Sequence, residues 1–232
     1  MGLDLAMAID VWTPGVIVAM SISALVTLGS YYYSAFYQPR KMERAYRKAL
    51  YSLAAAVETR DSGTIGHAER VADYAVAVAK ELGVSRSECL RIEYAALLRD
   101  IGKVRVPASL LNKKTKLTPE EWEKLKAHSI YGAEMVGSVP FLAFLADLIL
   151  HHHECWDGSG YPDGIAGEDI PLGARILALT TDYDALTSER PYHTPQPPET
   201  ALEEIKRGSG TRYDPRVVEA FIKVLKSRGI TE

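Results

Sequence analysis

The 232-residue chain is 47% hydrophobic and carries 27 basic against 30 acidic residues, a formal net charge of −3. That balance excludes the strongly basic surface on which binding to a nucleic acid polymer depends. The two cysteines, Cys89 and Cys155, are too few for a disulfide framework and fit a reducing compartment, and the length suffices for one sizeable domain with a hydrophobic core.

The first predicted element is apolar. No charge occurs between Asp10 and Arg40, and residues 16–36 read VIVAMSISALVTLGSYYYSAF. At ~1.5 Å per residue a helix of this length covers about 31 Å, one bilayer core. Tyr31, Tyr32, Tyr33 and Tyr37 fall near one interface, and Arg40, Lys41, Arg44, Arg47 and Lys48 follow. The positive-inside rule then places the N-terminus outside and the C-terminal part in the cytoplasm. A cleaved signal peptide needs a basic region ahead of the apolar stretch, where only Asp4 and Asp10 stand. A buried core helix is the other alternative to a single-pass anchor in the cytoplasmic membrane, which is the expectation for residues 1–38. Residues 39–60 carry Met42, Tyr46, Ala49, Leu53 and Val57 at helical spacing. This linking helix is either a dimerising stalk, which would give a homodimer, or the first helix of the domain.

Beyond it the chain reads as helices joined by short turns, with no alternating strand pattern. Residues 64–82 place Val71, Ala75, Val78 and Leu82 on one stripe, and Ser85 with Glu88 forms a capping box for a helix running to Asp100. Thr118, Pro119 and Glu121 start a fourth helix. Residues 141–153 are apolar and end in histidines, a glycine-rich loop spans 157–164, and further helices cover 173–187, 198–207 and 215–227, the last capped at Asp214-Pro215. The predicted class is all-α.

His67 lies four residues before Val71, His128 three after Leu125, and His152 follows Leu145, Leu148 and Ile149. Each therefore shares the apolar face of its helix. One such histidine is ordinarily a hydrogen-bonded core residue. Three of them, with His153 adjacent, point to a shared partner, because burying several imidazoles without one is costly. Imidazole with carboxylate suits iron, manganese or zinc, and such ions serve phosphodiester hydrolysis.

The segments DSGTIGHAERV (61–71), LLRDIGKVRVP (97–107), LLNKKTKLTPEEWEKLKAHSIYGAEMV (110–136), HHECWDGSGYPDG (152–164), IPLGARILAL (170–179), YDALTSERPY (183–192) and GTRYDP (210–215) occur in this order. Together they resemble the HD-GYP domain, a branch of the HD phosphohydrolases whose active members hydrolyse the bacterial second messenger cyclic di-GMP. The resemblance covers residues 50–225. It implies an HD-type helical bundle, here preceded by one N-terminal transmembrane helix. It also implies metal ligands at His67, Asp100, His128, His152 and His153, and a phosphate contact from Lys103, which with Asp100 would form the catalytic group. The substrate-side positions are Arg190, Arg99 and Asp184. The loop Asp157, Gly158, Gly160, Tyr161 and Pro162 is implicated in ligand access and in docking diguanylate cyclase domains. Glu154 and Asp157 would either orient imidazoles or serve as ordinary capping and turn residues.

Two family ligands are replaced. Arg99 stands where the family has the histidine before Asp100, and a guanidinium offers donors only. Thr181 takes the place of the last metal-binding aspartate; Asp182 beside it is turned by ~100° along a helix. Gly63 stands where some members carry a glutamate for a third ion, and His193 where a second basic side chain is usual. The expectation is at most one divalent iron, manganese or zinc ion, or none, with Arg99 paired to Asp100 in the vacated position and reaching for a phosphate oxygen. The favoured function is a degenerate, weakly active or inactive module that binds cyclic di-GMP, a related nucleotide or a protein partner. The alternative is an active metal-dependent cyclic di-GMP phosphodiesterase.

Overall fold

The computed structural model describes residues 14–60, 66–189 and 194–231. Its chain divides into two compact units, residues 1–48 and 49–232. In the first, helix α1 (Pro14–Tyr32) passes through a π-helical turn (Tyr33–Tyr37) into α2 (Gln38–Glu58), and α1 buries none of its residues.

The second unit is all helical among the described residues: the end of α2, then α3 (His67–Glu81), α4 (Arg86–Leu98), α5 (Ala108–Leu111), α6 (Pro119–Lys126), α7 (His128–Gly137), α8 (Ala146–Leu150), α9 (Leu172–Thr187), α10 (Pro198–Arg207) and α11 (Pro215–Ser227). The starts obey the expected capping chemistry. Ser85 accepts from Glu88 N, Asp214 from Arg216 N, and Thr118 with Glu121 forms a reciprocal capping box.

α4 is buried almost all round from Ile92 to Leu98, as suits a central helix. α3 and α9 pack against it, α11 closes over both, and α8 fills the remaining side. Tyr74, Tyr183 and Phe221 knit α3, α9 and α11 through edge-to-face ring contacts of 4.8–5.7 Å.

Two boundaries depart from the sequence reading. α4 stops at Leu98, so that Arg99 and Asp100 form a turn into a 3₁₀ segment, Ile101–Arg105. At Gly102 a Cβ would overlap the His128 carbonyl and Gly132 N, so only glycine lets this segment lie against α7. The second departure is in α2, where Leu50, Ala54 and Val57 are buried while Leu53 and Met42 are exposed. Val57 is inward as expected, but the positions before it are Leu50 and Ala54 rather than Ala49 and Leu53, because the two sets offer the same spacing and sequence alone does not rank them.

Candidate active site

The histidine faces converge as their phases required. His128, at the start of α7, and His152 and His153, just past α8, bring one ring nitrogen each to within 4.8 Å of one another. His128 Nδ1–H donates to Leu125 O at 2.7 Å and His152 Nδ1–H to Ile149 O at 2.7 Å. Each imidazole is thereby fixed as the tautomer whose Nε2 lone pair faces the cluster. Of the two roles open to Glu154 and Asp157 in the sequence, ring orientation and turn formation, the structure shows the second. Glu154 Oε1 accepts from Asp163 N and Gly164 N, and Asp157 Oδ1 accepts from the Ser159 backbone and hydroxyl. Both hold the glycine-rich loop, and backbone carbonyls orient the rings.

His152 is 1% exposed and its Nε2 has no hydrogen-bond partner. His153 Nε2 lies 3.2 Å from His128 Nε2, and Asp100 Oδ1 is 3.8 Å from the latter. Burial disfavours the charged imidazole throughout: it lowers the pKa of His67, His128 and His153, and with the neighbouring His128 it takes His152 to about 3. Burial also works against a charged Asp100, but Lys103, Arg99, His128 and His152 outweigh it and hold the carboxylate well below its usual range. Three neutral imidazoles and one carboxylate, with an orphaned buried lone pair among them, fit one divalent ion.

The other candidate position does not fit. His67 Nδ1 is 2.5 Å from Asp184 Oδ2, and Arg70 grips the same carboxylate through Nε at 2.6 Å and Nη2 at 3.1 Å. Burial opposes the charge on Asp184, yet these bonds bring its pKa to about 2. Beside this group Arg99 is 1% exposed; Nη1 donates to Ala96 O, Nη2 stands 3.3 Å from Asp100 Oδ2, and Nε and Nη2 make no hydrogen bond. A divalent ion about 4 Å from a guanidinium is repelled by roughly 8 kcal/mol at an effective dielectric of ~20. Thr181 offers only a neutral, buried Oγ1 with no hydrogen-bond partner, and Asp182 is taken by the Tyr213 hydroxyl at 2.8 Å and Arg212 at 2.7 Å.

A cleft of about 320 Å³ opens onto the cluster. Asp100, Lys103, His67, His128, His153 and Tyr161 are among the residues that line it, with Lys103 Nζ 3.0 Å from Asp100 Oδ1. Tyr161 stacks on His153 at 4.7 Å. Of the substrate-side positions, neither Arg99 nor Asp184 is among the residues that line this cleft, and each is 99% buried. Arg190, Gly63 and His193 lie outside the described residues. In the loop, Gly158 adopts φ +82°, whereas Gly160 serves close approach, because a Cβ there would overlap Cys155 N and Glu154 Cα. Arg70, which holds Asp184, and Trp122, in the cleft wall, carried no functional signal in the sequence reading; an arginine three residues after a histidine on one helix face was the available clue to the first.

The sequence profile of the HD domain family matches residues 52–217. The chain belongs to the HD domain family. Among its relatives is a cyclic di-GMP phosphodiesterase of Thermotoga maritima, 43% identical over 171 residues, 73% of this chain and 46% of that protein. A 3'3'-cGAMP-specific phosphodiesterase 2 of Vibrio cholerae is 37% identical over 179 residues, 76% of this chain and 34% of the relative. The chain thus spans about half or less of these relatives' lengths. In structure, this HD domain resembles a cyclic GMP-AMP phosphodiesterase of V. cholerae, with a TM-score of 0.65 over 79% of this chain and 49% of the other. It also resembles the PgpH HD domain of Listeria monocytogenes in complex with cyclic-di-AMP, with a TM-score of 0.53 over 77% of this chain and 98% of the other. At 21% and 18% identity these two establish the fold. The relatives agree with the HD-GYP resemblance, and they favour the phosphodiesterase alternative over the degenerate module.

Proposed function

We propose that this HD domain is a cyclic-dinucleotide phosphodiesterase working with one ion, with cyclic di-GMP as its substrate. The observation that carries the reading is the orphaned His152 Nε2, clustered with ring nitrogens of His128 and His153, with Asp100 Oδ1 3.8 Å from His128 Nε2. Those four residues would hold iron, manganese or zinc, which when bound acts as a Lewis acid on a phosphoryl oxygen and acidifies water. Lys103, in the cleft wall beside Asp100, meets the negative charge of the phosphodiester. Arg99 balances Asp100 from behind and keeps a second ion out. Tyr161, stacked on His153, closes the wall and limits the approach of solvent to that imidazole. The apolar α1, exposed along its length, would anchor the chain in the cytoplasmic membrane.

Arg99 and Thr181 favour a second reading, nucleotide binding without turnover, since two-ion chemistry needs both positions filled. One experiment separates the two. The purified full chain, analysed for metal and incubated with cyclic di-GMP plus manganese or ferrous iron, should release linear dinucleotide or GMP, and His152→Ala should abolish it. Tight nucleotide binding with no product at any metal concentration would establish the second reading instead.

A further inference from the structure

The wall of the cleft is of two chemical kinds. Besides Asp100, Lys103 and the histidines, it includes Leu110 and Leu111 from α5, Leu117 from the following loop, and Trp122 and Leu125 from α6. Lys113, in the same stretch, is neutralised by Glu121, with Nζ 2.7 and 2.5 Å from the two carboxylate oxygens. This stretch therefore presents a largely apolar surface. Trp122 in it is 44% exposed.

Its presentation is rigid. Glu121, the residue before it, closes the capping box on Thr118 N at 2.8 Å while gripping Lys113, so the first turn of α6 and the approach to it are clamped together. Trp122 and Leu125 lie three residues apart on α6, and His128 opens α7 just after the turn at Ala127. Leu125 lines the apolar wall and its carbonyl orients the His128 ring, so a single stretch of chain joins the indole to the proposed ion ligands.

We propose that Trp122 is the stacking platform for a purine base whose phosphate lies at the histidine cluster, an inference that rests on the cyclic-dinucleotide reading above. A purine is flat and apolar on its faces, and base–indole stacking is among the strongest contacts that a solvent-exposed tryptophan makes. Leu117 and Leu125 line the same cleft as the indole and add apolar surface to it. The polar requirement of the nucleotide is met by Lys103, which lines the same cleft.

The test uses the full chain and labelled cyclic di-GMP, measured by equilibrium dialysis with and without manganese, on wild type, Trp122→Leu and Trp122→Phe. Leucine keeps apolar bulk but no π-face, and at so exposed a position it leaves folding intact. Trp122→Leu should bind roughly 5- to 100-fold more weakly, and Trp122→Phe close to wild type. GMP and ribose 5-phosphate as competitors supply the second readout: wild type should prefer GMP, and Trp122→Leu should lose that preference while its affinity for ribose 5-phosphate is unchanged. Equal affinities of wild type and Trp122→Leu for cyclic di-GMP would overturn the platform and leave the phosphodiesterase reading standing. A parallel loss of GMP and ribose 5-phosphate binding would also overturn it, by showing general damage to the cleft. Wild type that binds no cyclic di-GMP under either condition would remove both.

Discussion

Arg99 is the residue on which the chemistry of this domain turns, because it brings a permanent charge into a pocket that the fold otherwise prepares for cations. Its guanidinium pairs with Asp100 at 3.3 Å and is sealed from the cleft. Removing it alone leaves Thr181 without a carboxylate, so restoring both replaced ligands requires Arg99→His together with Thr181→Asp. That double variant should hold two ions per chain by mass spectrometry of bound metal where wild type holds one, and unchanged metal content would refute the account. The histidines make a separate prediction for the metal-free chain. All four are held below their ordinary 6.5, His152 at about 3. Once the pH drops below 6.5, the unfolded chain therefore takes up protons that the folded state refuses. Stability is complete above that value and is lost progressively toward the folded pKa, the opposite of a histidine that gains a carboxylate partner. Asp184, at about 2, adds a loss of the same sign below 3.8. The melting temperature in chelator should fall steadily from pH 7 to pH 5, and His152→Ala should flatten the slope.

The ends of helices do as much as their faces to build the site. α3 starts at His67 with no side-chain cap of its own at Gly66; the cap comes from Glu58, the last residue of α2, whose Oε2 accepts from Gly66 N at 2.8 Å and Oε1 from Ala68 N at 2.5 Å. These bonds bracket His67 and fix where its ring enters the bundle. Glu58→Gln replaces one acceptor by a donor facing a donor and removes the charge that complements the helix dipole. The expected cost is about 1–2 kcal/mol, seen as a drop of several degrees in melting temperature with the helical circular dichroism unchanged below the transition. This clamp also shows what could be read in advance. The inward phases of His67, His128 and His152 were legible, because a 3.6-residue period ties each to neighbouring apolar residues. So were the caps at Ser85, Thr118 and Asp214, which are local. The carbonyls of Leu125 and Ile149 that set the tautomers carry no residue-type signature, and the grip of Arg70 on Asp184 joins helices more than a hundred residues apart. The setting of Arg99 belongs with these: side-chain chemistry identified the charge, but only packing shows that it is buried beside Asp100.

For the whole molecule the question is what covers α1. Its 19 residues rise about 28 Å, carry no charge, and bury nothing in their own unit; Ile17, Met20, Leu25 and Leu28 are all about half exposed or more. So much contiguous apolar surface in water is an aggregation liability, whereas a bilayer core of ~30 Å covers it at no cost in backbone hydrogen bonds. The basic residues from Arg40 to Lys48 begin where the apolar run ends, the pattern that the proposed anchor requires. The bundle, by contrast, forms a compact unit from residue 49 onward, with its own buried core. Cutting the chain before residue 39 should therefore change its location and not its chemistry. Full-length protein should sediment with membranes and resist extraction by high salt and alkaline carbonate, while residues 39–232 should stay in the supernatant with the same metal content and the same melting temperature. Full-length chain found monodisperse in the supernatant would mean that α1 buries its apolar face against protein, and a truncated bundle that melts early would mean that this helix is part of the core.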